Sequence, residues 1–105
     1  MKSYLQISTT TETKEQAQKI AQYLVETRLA ACVQITGPLT SIYRWKGKVE
    51  NTKEWLCLIK TQDDLFKKVE AAIKSQHLYE TPEIIAVPIV KGSKEYMIWL
   101  DDELV

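Results

Sequence analysis

The side chains able to do chemistry in this chain are few and scattered. His77 is the single histidine, so any imidazole chemistry must use it. It stands in a polar stretch six residues before Glu83. An imidazole and a carboxylate at that spacing can contribute to a divalent-cation site, and Cu(II) accepts such nitrogen and oxygen donors. Two ligands from one chain are too few, but an assembly can bring further donors from neighbouring copies. The competing reading of His77 is a hydrogen-bonding residue at a surface or interface. Cys32 and Cys57 lie far apart in apolar stretches, without a Cys-x-x-Cys. Both are expected as buried reduced thiols that pack like small hydrophobes.

No catalytic constellation accompanies these residues. The chain has no Gly-rich phosphate loop. His77 has no motif partner of the Cys-His or Ser-His-Asp kind. Asp63-Asp64 and Asp101-Asp102 fall at helix ends, where they complement helix dipoles or solvate the chain. No catalytic residue is assigned, and the chain is not expected to be an enzyme.

Composition narrows the partners. With 105 residues, 45% hydrophobic and 27% charged, one globular domain over residues 1–105 is expected. Folding a chain of this size removes about 65% of its extended surface, enough for a core without staples. The 14 basic and 14 acidic side chains cancel, which leaves no electrostatic footprint for nucleic-acid binding. Arg44, Lys46 and Lys48 are followed by Glu50 and Glu54, a pattern that reads as a solvated strand face. No signal-peptide pattern opens the chain and no apolar run is long enough to span a bilayer. With the two thiols, this points to a cytoplasmic protein without nucleic-acid or membrane partners.

The elements that must position these residues follow from periodicity. Tyr4–Ser8 alternates as a strand, and the threonine run after it supplies helix N-caps. Ala17, Ile20, Ala21, Leu24 and Val25 make one helical apolar face. Ala31–Ile35 begins a strand that Thr36-Gly37-Pro38 interrupts, as a bulge or bend, before Leu39–Trp45. Lys46-Gly47-Lys48 turns the chain, with Gly47 left-handed, into a returning arm from Val49 to Lys60. Thr61 and Asp64 resemble a capping box before a helix with Leu65, Phe66, Val69, Ala72 and Ile73 on its buried stripe. Ser75–Pro82 reads as a loop, and Ile84–Val87 as a strand buried on both faces. Lys94–Glu103 closes the chain as a short helix.

This order predicts an α+β, ferredoxin-like βαββαβ sandwich with a long central β-hairpin and a short C-terminal helix. Its two layers leave one sheet face bare. Tyr43, Trp45 and Trp55 sit on a hairpin too long for so small a domain. Exposed edges and apolar sheet surface are normally covered by a partner, so a homo-oligomer joined through hairpins and sheet faces is expected.

Leu29-Ala30-Ala31-Cys32-Val33 and Ser41-Ile42-Tyr43-Arg44-Trp45-Lys46-Gly47-Lys48-Val49-Glu50 resemble the central signatures of the CutA divalent-cation-tolerance proteins. Ile59-Lys60-Thr61, Tyr79-Glu80-Thr81-Pro82-Glu83-Ile84-Ile85 and the Tyr96–Trp99 segment continue the likeness in order. The resemblance implies a tight homotrimer, similar in architecture to the trimeric PII signalling proteins, and a link to copper or other divalent cations. It also implies a metal-binding or metal-responsive signalling role. The aromatic hairpin and the absence of catalytic groups point to an alternative, a trimeric scaffold that anchors a partner protein without physiological metal binding. At motif positions Tyr43, Trp45, Lys60, Tyr79 and Trp99 would line a pocket between subunits, with His77 and Glu83 toward a Cu(2+) or other divalent ion. Relatives with a proposed copper site place Cys where this chain has Ser8, and a second His where it has Gln76. Their His-Pro-Tyr-Glu loop reads His77-Leu78-Tyr79-Glu80 here, so the softer copper ligands are missing.

Overall fold

A computed structural model describes residues 2–105. The elements run β1 (Tyr4–Thr11), α1 (Lys14–Glu26), β2 (Cys32–Trp45), β3 (Lys48–Gln62), a 3-10 turn (Asp63–Leu65), α2 (Phe66–Gln76), β4 (Ile85–Pro88) and α3 (Lys94–Glu103). The four strands form one sheet in the order β2-β3-β1-β4, with every neighbouring pair antiparallel. Each strand-helix-strand crossover therefore straddles a strand of the other, which is the expected ferredoxin-like plan.

The core lies between the sheet and α1 and α2. Ile7, Cys57 and Ile59 point from the strands into a cluster with Ala17, Ile20 and Leu24 of α1 and Val69 and Ile73 of α2. Burying each of the Ile, Leu and Val side chains among these stabilises the fold by roughly 1.5–3 kcal/mol. A second cluster joins Leu100 and Leu104 to Ala31 and Leu65, and so docks α3 at one end of the sheet. Tyr4 donates to Asp101 at 2.8 Å across the same junction.

Local chemistry sets the element ends. Thr13 caps α1, its hydroxyl accepting from the Gln16 amide at 3.2 Å. β1 continues through the threonine run to Thr11 instead of breaking there, because Thr9 and Thr11 share the core-facing parity of Leu5 and Ile7. α1 ends with Arg28 at a φ of 62°, a left-handed position usually held by Gly. The Arg28 guanidinium then bonds the Asp102 and Glu103 carbonyls at 2.6 and 2.9 Å. These contacts satisfy acceptors that the end of α3 leaves open.

Several expectations need correction. Thr61 is not a helix cap: it lies within β3, buried, and donates to the Leu29 carbonyl at 2.7 Å. α2 begins only at Phe66, after the 3-10 turn, and runs to Gln76. Ile85–Pro88 is exposed, not buried on both faces, because β4 is an edge strand with one side of the sheet open. Val25 is exposed beyond the α1 stripe, and Trp55 packs against the core instead of standing free. Cys57 is buried as expected, but Cys32 is only partly so, since it faces the open side beside Lys60.

The hairpin is the longest feature. Its arms have 14 and 15 residues, and the molecule measures 45 × 25 × 22 Å. Trp45 pairs with Lys48, so the loop is the two residues Lys46 and Gly47, with φ of 49° and 80°. Two left-handed residues make the type I′ turn that matches strand twist.

Candidate functional site

A cleft opens where the hairpin meets the segment after α2. Its volume is about 670 Å³, and its walls include Tyr43, Trp45 and Tyr79 with Glu54, Glu80 and Glu83. The aromatics reach it because of the bulge. β2 pairs Thr36 with Leu56, then Leu39 with Glu54, a shift of one residue at Gly37-Pro38. A one-residue shift exchanges the two faces of a strand. Without it, Thr40, Ile42 and Arg44 would share the face of Glu54. With it, Ser41, Tyr43 and Trp45 do so, through their pairs Thr52, Glu50 and Lys48.

The opposite wall is pinned by His77 and Tyr79. The His77 Nδ1 accepts from the Tyr79 amide at 3.0 Å, which leaves Nε2 to carry the hydrogen. Nε2 then donates to the Thr10 carbonyl at 2.7 Å. The two rings lie 4.7 Å apart between centroids. The Tyr79 hydroxyl in turn donates to Oε2 of Glu54 at 2.7 Å. Burial above all, with the Glu54 hydrogen bond and charge behind it, raises the Tyr79 pKa well above the ordinary phenol value. Tyr79 is thus a neutral hydrogen-bond donor and not a phenolate ligand.

Glu54 is the residue the sequence hid. It reads as part of a solvated charge pattern, yet only 6% of it is exposed. Tyr79 holds Oε2, while Oε1 has no hydrogen-bond donor among the described residues, and no cation pairs with the carboxylate there. Lys46 lies at the rim, 3.7 Å from Glu80 and 5.7 Å from the Trp45 ring centroid.

The structure divides the residues that the sequence singles out. Tyr43, Trp45, Tyr79 and Glu83 meet in the cleft. Lys60 lies instead on the open sheet face, hydrogen-bonded to Gln34. Trp99 lines a separate cavity with Val25, Arg28 and Glu103. His77 stands behind the cleft wall with both ring nitrogens engaged. Among the described residues no three His, Cys, Asp or Glu side chains are grouped to hold a metal ion. Within one chain the side chains therefore do not fit a resident copper or other divalent ion. No helix among the described residues is long and apolar enough to cross a membrane.

Comparison with known proteins agrees with this architecture. A divalent-cation tolerance protein CutA from Thermus thermophilus is 50% identical over 91 residues, covering 87% of this chain and 88% of that protein. Protein CutA of Homo sapiens is 45% identical over 80% of this chain, which spans 47% of the human protein. The solved Thermus thermophilus structure superposes with a TM-score of 0.94 at 44% identity, covering 97% of this chain and 99% of that one. A structure described as a periplasmic divalent cation tolerance protein CutA, from Archaeoglobus fulgidus, gives 0.91 at 39% identity, with 98% of each chain covered. Residues 5–103 match the family of CutA1 divalent ion tolerance proteins, and the chain belongs to that family.

Proposed function

We propose that the chain works as a homotrimeric, non-enzymatic binding module of the cytoplasm that responds to divalent cations. Its metal site is completed by a neighbouring copy. The observation that carries this reading is the incompleteness of the single chain. Glu54, Glu80 and Glu83 all line the cleft, but among the described residues no three His, Cys, Asp or Glu side chains are grouped closely enough to hold an ion. A divalent ion takes at least four ligands, so the remainder must come from elsewhere.

Uncovered apolar surface supports the assembly. Ile42 and Val49 on the hairpin are 68% and 64% exposed, and Ile85 and Val87 on the β4 edge are 57% and 51% exposed. Such surface on a projecting hairpin and an open edge is what association buries. The hairpin also supports a second reading, a trimeric scaffold that anchors a partner protein through Tyr43 and Trp45.

The test combines light scattering with calorimetric titration of Cu(II) into the intact protein and its Glu83→Gln and His77→Ala variants. A trimeric mass, with Cu(II) binding that Glu83→Gln weakens, is the expected result. Because His77 must break an internal hydrogen bond to serve as a ligand, its variant is expected to bind Cu(II) like the parent. A monomeric mass would sink both readings, and a trimer that takes no divalent cation would leave only the scaffold.

A further inference from the structure

The cleft has properties that a metal ion does not use. Metal–oxygen bonds are about 2.0–2.6 Å long, whereas 670 Å³ falls within the range of small-molecule sites, about 300–1,000 Å³. Three aromatic rings make up much of its wall, and ring faces attract diffuse cations without coordinating them. All three acidic groups on the wall, Glu54, Glu80 and Glu83, favour a positive ligand. Glu54 adds the sharpest demand, a carboxylate more than nine-tenths buried with one oxygen unclaimed and no cation beside it. That oxygen is not sealed off from the cleft, so a ligand that supplies both charge and hydrogen-bond donor can reach it and gain a charge-assisted hydrogen bond there.

The chain already displays the interaction at the rim. The Lys46 ammonium sits between the Trp45 ring and the Glu80 carboxylate, bearing on both an aromatic face and an acid. Its side chain is largely exposed, so it does not fill the space in front of Glu54. We infer that the cleft is a binding site for the primary ammonium group of a small organic amine, held between Glu54 and the aromatic walls formed by Tyr43, Trp45 and Tyr79. The inference shares with the proposed function the premise that the cleft is a ligand site, but it does not require metal binding or the trimer.

Primary ammonium is favoured over quaternary because the free Glu54 oxygen accepts a hydrogen bond that a quaternary ammonium centre, with no hydrogen on its nitrogen, cannot give. Lys46 competes for the same Trp45 and Glu80 groups at the rim. Removing it should strengthen amine binding by about 2–5-fold, the worth of one exposed cation–π contact.

The test is calorimetric titration of the intact protein with butylammonium chloride and with tetramethylammonium chloride at matched ionic strength, alongside Cu(II). Saturable butylammonium binding is expected, with tetramethylammonium at least about tenfold weaker, the scale of one charge-assisted hydrogen bond. Glu54→Gln keeps an acceptor for Tyr79 and should fold, yet lose the butylammonium signal. Trp45→Ala should weaken it and Lys46→Met strengthen it, while Trp99→Ala, in the other cavity, should leave it unchanged. Failure of butylammonium to saturate, equal binding of tetramethylammonium, or unaltered binding by Glu54→Gln would overturn the inference. Amine binding without Cu(II) binding would remove the metal reading alone, and Cu(II) binding without amine binding would remove this one alone.

Discussion

Tyr79 donates its phenolic hydrogen to Oε2 of Glu54 at 2.7 Å, across 25 residues of sequence. That bond ties the segment after α2 to the returning arm of the hairpin, and it is the one donor on a nearly buried carboxylate among the described residues. Tyr79→Phe would remove the donor and leave the acid behind. Hydrogen bonds to charged groups contribute about 1.5–3 kcal/mol, so a loss of that size is expected from urea unfolding at fixed protein concentration. Glu54→Gln should cost less, because the amide oxygen still accepts. In the Tyr79→Phe, Glu54→Gln double variant the penalties should fall short of additive, as they do for residues in direct contact. Additive penalties would mean that the bond does not join the two elements.

The raised phenol carries a pH signature. Tyr79 is pushed up from 10.0, chiefly by burial and then by the Glu54 hydrogen bond and charge. Below about pH 10 the phenol is protonated in both folded and unfolded chains, and its contribution is fully present. Above that, the unfolded chain releases the proton while the folded chain keeps it. Stability therefore falls as the pH rises. Burial also pushes the Cys57 thiol up from 9.0 to about 11, so its contribution has the same sign and begins to fade from pH 9. Urea midpoints measured between about pH 8 and pH 11 should decline with pH. Tyr79→Phe should make the decline shallower at the upper end, and Cys57→Ala at the lower end. Equal slopes in all three proteins would show that neither group is its source.

How much of this was legible in the sequence depends on what periodicity encodes. Apolar spacing marks which residues seek cover, so the order of strands and helices, the hairpin turn and the core face of α2 could all be read. It does not say what supplies the cover. Ile85 and Val87 look like a buried strand in sequence and lie exposed on the edge of the sheet, because an apolar run does not state where the sheet ends. The gathering of Tyr43, Trp45, Tyr79 and Glu83 was expected only through likeness to a family. Glu54 was missed for a more local reason. Which β2 side chains stand beside it depends on a one-residue shift at Thr36/Leu39, and the Gly-Pro that marks the bulge does not state how many residues it displaces. Thr61 misled because a Thr followed by an acid three residues on fits a helix start, while its buried hydroxyl had a nearer acceptor on Leu29.

Gly37 tests whether the bulge controls the cleft. A methyl group there would approach Trp55 Cδ1 to 2.7 Å and the Glu54 carbonyl to 3.0 Å. The indole can turn only by disturbing its packing on the core, and the carbonyl belongs to a paired strand. Gly37→Ala should therefore cost about 1–3 kcal/mol, the usual range for overpacking. The strain falls on the segment that sets which β2 side chains face Glu54. Heteronuclear NMR should show shifts at Trp55 and Glu54 that continue to the Tyr43 and Trp45 rings, while the Trp99 indole stays where it is. Gly47→Ala serves as the comparison, because open space surrounds that residue and only its φ of 80° resists a side chain. That strain sits at the tip and should leave Trp55 unmoved. If Gly37→Ala shifted Trp55 but neither Tyr43 nor Trp45, the bulge would be a packing feature without control over the face those aromatics present.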